Sequence, residues 1–130
     1  MARVIAPFTI EDWDAHALDE QEGAPALGRV RFRKTYKGDD LVGTAVAGFL
    51  NCDQLAYAAV ERITGTLGGR TGTFVLMHGA GAGSGAAEEG VSSGYFVAGS
   101  GTGELTGLTG TMKIRHADEG PRLYLDYSLP

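Results

Sequence analysis

Apolar and polar residues alternate in short runs along most of this chain, and clusters of Gly, Asp, Asn and Pro separate the runs. A period of two marks a strand with one buried face. It predicts strands over Phe8–Ala15, Gly28–Tyr36, Asp40–Asn51, Leu55–Thr66, Arg70–Gly79, Ala87–Val97, Leu105–Ala117 and Arg122–Leu129. Pro7, with no N–H to give a ladder, suits the start of the first. Turn residues fill the gaps, as in Lys37-Gly38-Asp39, Gly68-Gly69 and Asp118-Glu119-Gly120-Pro121. Ala56–Arg62 passes for a helix on propensity, but the alternation of Leu55, Tyr57 and Ile63 and the turn that follows favour a strand.

One segment occurs twice. Residues 64–78 and 102–116 share eight of fifteen positions, from Thr64/Thr102 and Gly65/Gly103 to His78/His116. Each copy is a Gly-punctuated turn running into an alternating strand, so the repeat unit reads as a β-hairpin. The copies also orient the strand. Val75 and Met77 correspond to Lys113 and Arg115, which places the opposite face, Phe74, Leu76 and His78, inward.

Eight short strands without clear helices imply an all-β chain, a single antiparallel domain over residues 1–130 that must deal with its edges. An eight-stranded barrel does so by closing, and its interior packs side chains or holds one small ligand; a β-sandwich is the alternative. Alternation nominates Val30, Phe32 and Tyr36, then Leu55, Tyr57 and Ile63, then Phe74 and Leu76, then Leu123, Leu125 and Tyr127 as the inner set. The strand over 40–51 is apolar or small on both faces, so its register is not readable.

Three ionisable residues, Lys34, Glu61 and His78, fall on these apolar faces. A charge inside a barrel costs several kcal/mol unless it is paired or lines a wet cavity. Two readings stand open: a buried Lys34–Glu61 pair, or rim groups that reach water, and a polar constellation in a ligand pocket suited to acid/base work. His116, near Asp118 at a strand exit, reads as exposed.

Composition removes other classes. Gly is in excess, with 21 residues, but has no collagen period. The net charge is −5 with scattered acids, which argues against nucleic acid; Arg29, Arg31 and Arg33 read as a solvated or interface face. His16, His78 and His116 lack metal-ligand spacing, so no metal and no other cofactor is expected. Gly79–Gly85 is Gly-rich but lacks the ending of a phosphate loop, and Glu88-Glu89 reads as a solvated pair. Cys52 is the single cysteine, which with no signal peptide and no apolar membrane run predicts a cytoplasmic protein. Val75, Met77 and the strand over 40–51 offer apolar outer surface, so a homo-oligomer, a dimer or trimer, is expected.

The run Glu61–His78 resembles an uncharacterised bacterial family of small barrels of the allene oxide cyclase-like kind. So do Phe8-Thr9-Ile10 leading to Trp13, Lys34-Thr35-Tyr36-Lys37-Gly38, and Gly99–Leu105 with Gly107-Leu108. Gly107-Leu108-Thr109-Gly110 also looks like the corresponding turn in allene oxide cyclases, dirigent proteins and small barrel cyclases of polyketide pathways. In those relatives the cavity folds a flexible substrate and steers ring closure with few catalytic groups; none of their catalytic motifs matches here residue by residue. The resemblance implies an isomerase or cyclase acting on a largely apolar small molecule. Its cavity would be lined by Phe32, Tyr36, Tyr57, Phe74, Leu76 and Leu125. Glu61 would be the acid/base, Lys34 its charge partner or a stabiliser of developing charge, and His78 a second proton-transfer group. A non-catalytic carrier or sensor and a structural oligomer with a filled core are the alternatives.

Overall fold

The computed structural model describes residues 1–81, 83 and 90–130. Its strands are β1 (Ala2–Asp19), β2 (Leu27–Lys37), β3 (Leu41–Cys52), β4 (Ala56–Leu67), β5 (Arg70–Gly81), β6 (Val91–Phe96), β7 (Thr109–Ala117) and β8 (Gly120–Ser128). Each pairs antiparallel with the next, and β8 returns to β1, closing an eight-stranded barrel. The one helical turn among the described residues is a 3₁₀ turn at Gly103–Leu105. The barrel, not the sandwich, is how this sheet removes its edges. No helix among the described residues is long and apolar enough to cross a membrane.

Several boundaries differ from the sequence reading. β1 begins at Ala2, not Phe8, and Pro7 lies inside it as the last residue paired with β8, opposite Arg122. From Phe8 onward β1 pairs with β2 alone, so the barrel is stitched shut along only part of its length. The expected strand over Ala87–Val97 is seen as Val91–Phe96, and Ala87 lies outside the described residues, as do Glu88-Glu89 and most of the Gly-rich stretch. Gly79–Gly81 continue β5.

The two repeat copies fold differently before their strands. In the first, Gly68 and Gly69 adopt φ of 56° and 82° and make the tight β4–β5 turn, a backbone that side chains rarely allow. In the second, the segment equivalent to the end of β4 is not a strand. It lies along β5 where β6 stops pairing: the Thr102 N–H donates to the Thr73 carbonyl at 2.9 Å, the Thr102 hydroxyl accepts from the Thr73 N–H at 3.0 Å, and the Ser100 hydroxyl accepts from the Val75 N–H at 3.0 Å. Backbone groups that a short β6 leaves unmatched are thus satisfied by a loop. Leu105 and Leu108 then plug that end of the barrel.

Alternation places side chains as read on β2, β5 and β8. Phe32, Lys34 and Tyr36, then Phe74, Leu76 and His78, then Leu123 and Leu125 are buried, and Arg29, Arg31 and Arg33 are exposed. Leu55 sits in the turn before β4 at the open end of the barrel, 53% exposed but facing its interior, and Ala59 takes a buried place on that strand. The unread register of β3 resolves with Leu41, Ala45 and Ala47 inside, and Val42, Val46 and Leu50 outside. The apolar core, with Tyr36, Leu41, Ile63, Phe74, Leu76 and Leu125 among its members, fills the half of the barrel closed by β1 and β8.

Candidate functional site

The other half of the barrel is hollow. A cavity of about 1110 Å³ opens there, walled by Phe8, Ile10, Trp13, Phe32, Phe49 and Tyr57, with Lys34, His78 and Ser92 also reaching it. The volume lies just above the upper end of the range that small-molecule sites occupy, and the cavity is open to solvent at that end of the barrel.

Cross-strand register builds its floor. Lys34 on β2 faces Ala45 on β3, and Glu61 on β4 faces Ala47. These small side chains let the two long ones meet, with Lys34 Nζ 3.0 Å from Glu61 Oε1. On the far side of β4, His78 of β5 donates to or shares a proton with the same Oε1 across 3.0 Å. The Tyr36 hydroxyl donates to Glu61 Oε2 at 2.8 Å. His78 comes this close to β6 because Gly94 faces it: a Cβ on Gly94 would stand 1.9 Å from the Met77 carbonyl oxygen and 2.7 Å from His78 Cα.

All four residues are buried, at 2% exposure for Lys34, 1% for Glu61, 7% for His78 and 0% for Tyr36. Burial alone would raise the Glu61 carboxyl. The His78 hydrogen bond, the Lys34 charge, any charge on His78 and the Tyr36 hydroxyl together outweigh it and hold the group at about 2. Glu61 is therefore a standing carboxylate at neutral pH, and it can only accept hydrogen bonds. Burial, and then the Glu61 charge, pushes the Tyr36 hydroxyl well above the ordinary tyrosine range, so it stays a donor.

The acceptor-only carboxylate fixes the hydrogen on His78 Nε2. Nδ1 then points at the Tyr57 hydroxyl oxygen, 3.1 Å away, and that hydroxyl donates to Ser92 Oγ. Burial raises the Tyr57 hydroxyl, as does the Glu61 charge, against a lowering from the Ser92 hydrogen bond. A continuous chain of polar atoms thus runs from Ser92 and Tyr57, at the cavity, through His78 to Glu61, Lys34 and Tyr36.

Of the residues the sequence singled out, Lys34, Glu61 and His78 converge. Lys34 and His78 touch the cavity, and Glu61 stands behind them. Phe32 and Tyr57 line the wall as expected. Tyr36, Phe74, Leu76 and Leu125 do not; they belong to the packed core, because β1–β8 closure and the Leu105–Leu108 plug fill that half of the barrel. Among the described residues no cluster of His, Cys, Asp and Glu could hold a metal ion.

The sequence reading missed Trp13, Phe49, Phe8 and Ser92. Trp13 was hidden by a bulge. Phe8 and Ile10 point inward at even positions, but the β1–β2 register shifts between Glu11 and Asp14, with Asp12 at φ 56°, and the inward parity becomes odd. The signal available was an Asp on each side of a lone Trp, since Asp tolerates that backbone. Phe49 lay on the strand of unreadable register.

A family model described as "Protein of unknown function (DUF3224)" matches residues 4–127. No curated protein matches the chain. Among solved structures, a crystal structure of a protein of unknown function from the DUF3224 family of Shewanella oneidensis MR-1 is 29% identical, with a TM-score of 0.83 over 100% of this chain and 98% of that one.

Proposed function

The chain belongs to the DUF3224 family, described as a protein of unknown function, and from its geometry we propose that it binds a largely apolar small molecule in the barrel cavity and moves a proton on it, as an isomerase or cyclase. The observation that carries the reading is that Lys34 and His78 both face the cavity while bonded to one oxygen of an ionised Glu61. The likeness to allene oxide cyclase-type barrels that the sequence suggests belongs to this proposal alone.

In this reading Glu61 is not the acid/base. A carboxylate held at about 2 is a weak base at neutral pH. It serves as the fixed anion that orients His78 and stabilises the imidazolium formed when Nδ1 takes a proton, as in carboxylate–histidine dyads. The Tyr57 hydroxyl lies between Nδ1 and the cavity. That hydroxyl, which donates to Ser92 Oγ in the resting site, turns its hydrogen to Nδ1 as its oxygen takes the proton from a substrate carbon, so no net charge builds on Tyr57. The Lys34 ammonium stabilises the oxyanion left on the substrate.

The test is deuterium exchange at the α-carbon of enolisable apolar ketones, 2-tetralone first, followed by NMR in D₂O. The wild-type chain should exceed buffer, and His78→Gln should slow exchange by roughly 10²–10⁴. Equal rates for the two proteins would end the catalytic reading. A carrier with the same pocket is the second reading, favoured by one observation: the floor groups are already paired with one another. A carrier would bind ketone without exchange.

A further inference from the structure

The cavity has one chemistry on its wall and another on its floor. Its wall is a run of rings in contact: the centroids of Trp13 and Phe32 lie 5.4 Å apart, those of Trp13 and Phe49 5.6 Å, those of Phe32 and Phe49 5.8 Å and those of Phe49 and Tyr57 5.5 Å. Offset and edge contacts of this kind extend to a flat guest of matching polarisability. An aliphatic chain would fill the same space but lose the ring geometry.

The floor is a cation with a donor to spare. An ammonium carries three N–H groups. One of Lys34's goes to Glu61 Oε1, one is directed toward the Tyr36 hydroxyl at 3.5 Å, and the ammonium lies 4.3 Å from the centre of the Phe8 ring. A ring face is a weaker partner than an oxygen anion, so an anionic oxygen entering the cavity would replace that contact with a stronger one. Glu61, an ionised carboxylate 3.0 Å from Nζ, repels such an anion through the low-dielectric interior. It stands behind Lys34 and does not line the cavity, however, so the entering oxygen meets the ammonium first. The cavity's acidic side chain, Asp53, belongs to the exposed turn after β3, far along the strand from Ala45, the β3 partner of Lys34.

We infer that the pocket takes a flat conjugated molecule with a single anionic oxygen group, a carboxylate or an enolate-type oxygen, seated inward on Lys34 with its rings against Trp13, Phe32, Phe49 and Tyr57. The inference rests on the proposal that this cavity is a ligand site, and not on the proton transfer proposed there.

Calorimetric titration of the full chain with three probes tests it: 2-naphthoate, decanoate (the same charge without rings) and 2-naphthylmethylammonium (the same rings with the opposite charge). 2-Naphthoate should bind at least about tenfold tighter than either, a gap of the size one good charge or aromatic contact supplies. Phe49→Leu should shrink the gap to decanoate and leave the gap to the ammonium, and Lys34→Met should do the reverse. The three-probe series on the wild-type chain decides even if Lys34→Met fails to fold. Decanoate or the ammonium binding as tightly as 2-naphthoate overturns the inference, and no binding of any probe overturns the cavity reading with it. A 2-naphthoate preference without ketone exchange leaves this inference standing and removes the catalytic proposal. Exchange without the preference does the opposite.

Discussion

Lys34 and Glu61 stand two strands apart, on β2 and β4, yet their side chains meet at 3.0 Å inside the barrel. The strand between them offers only the methyl groups of Ala45 and Ala47 at those levels. A long cation and a long anion bridge the space that two small residues leave, and His78 and Tyr36 complete the carboxylate's hydrogen bonds. The pair is a structural cross-brace, and its Lys34 end is one edge of the cavity.

That dual role predicts an asymmetry between single and double variants. Glu61→Gln leaves the buried Lys34 without a counter-charge and should cost about 3–5 kcal/mol, read from urea unfolding. Combining it with Lys34→Met removes the stranded charge and should recover most of the loss, since apolar replacement of a buried pair is often neutral. Additive losses would mean that the two residues do not act as a pair.

Acid should expose the same carboxylate. The native Glu61 sits at about 2 against an ordinary 4.5, so the unfolded chain binds its proton first as pH falls. Glu61 therefore contributes its full stabilisation above about 4.5 and loses it progressively down to about 2, a total of roughly 3 kcal/mol. Unfolding measured at pH 7, 4 and 2.5 should show the gap between wild type and Glu61→Gln closing toward the acid end. A gap that stays constant would show that the native carboxyl is not depressed.

The barrel was legible because alternation over β2, β5 and β8 is strict, and the repeat with Lys113 and Arg115 settled which face turned in. The convergence of Lys34, Glu61 and His78 was legible for the same reason: each breaks an apolar face. What alternation does not carry is position along the barrel axis. Tyr36, Phe74, Leu76 and Leu125 face inward just as Phe32 and Tyr57 do, and only the length of the β1–β8 ladder and the Leu105–Leu108 plug decide which half is packed. A bulge is invisible to a period of two, which is how Trp13 escaped.

Tyr57→Phe separates relay from scaffold. It keeps the ring against Phe49, 5.5 Å away, and His78, 5.8 Å away, and removes the hydroxyl that joins His78 Nδ1 to Ser92. Stability should drop by about 1 kcal/mol, the scale of a lost hydrogen bond. Ketone exchange should fall roughly 10²-fold or more, with 2-naphthoate affinity nearly unchanged. Unaltered exchange would take Tyr57 out of the proton path.

The bulge at Asp12 supplies the most direct test of how the cavity wall is built. Asp12 holds φ 56°, which Gly adopts freely, Asp tolerates and a β-branched residue resists. Its ion pair with Arg33, at 3.8 Å between exposed groups, contributes little, so the backbone dominates the outcome. Asp12→Gly should leave stability within about 0.5 kcal/mol, whereas Asp12→Val should lose about 1–2 kcal/mol. Where Val forces the bulge out, the parity beyond it reverts and Trp13 swings from Phe32 and Phe49 to the outside. Trp13 is the single tryptophan and is 56% exposed even on the wall. Near-UV circular dichroism, which senses its ring contacts with Phe32 and Phe49, therefore reports that swing: a shifted tryptophan band in Asp12→Val, none in Asp12→Gly. An unshifted spectrum in a destabilised Asp12→Val protein would show that the ring contacts, not the bulge, hold Trp13 over the cavity.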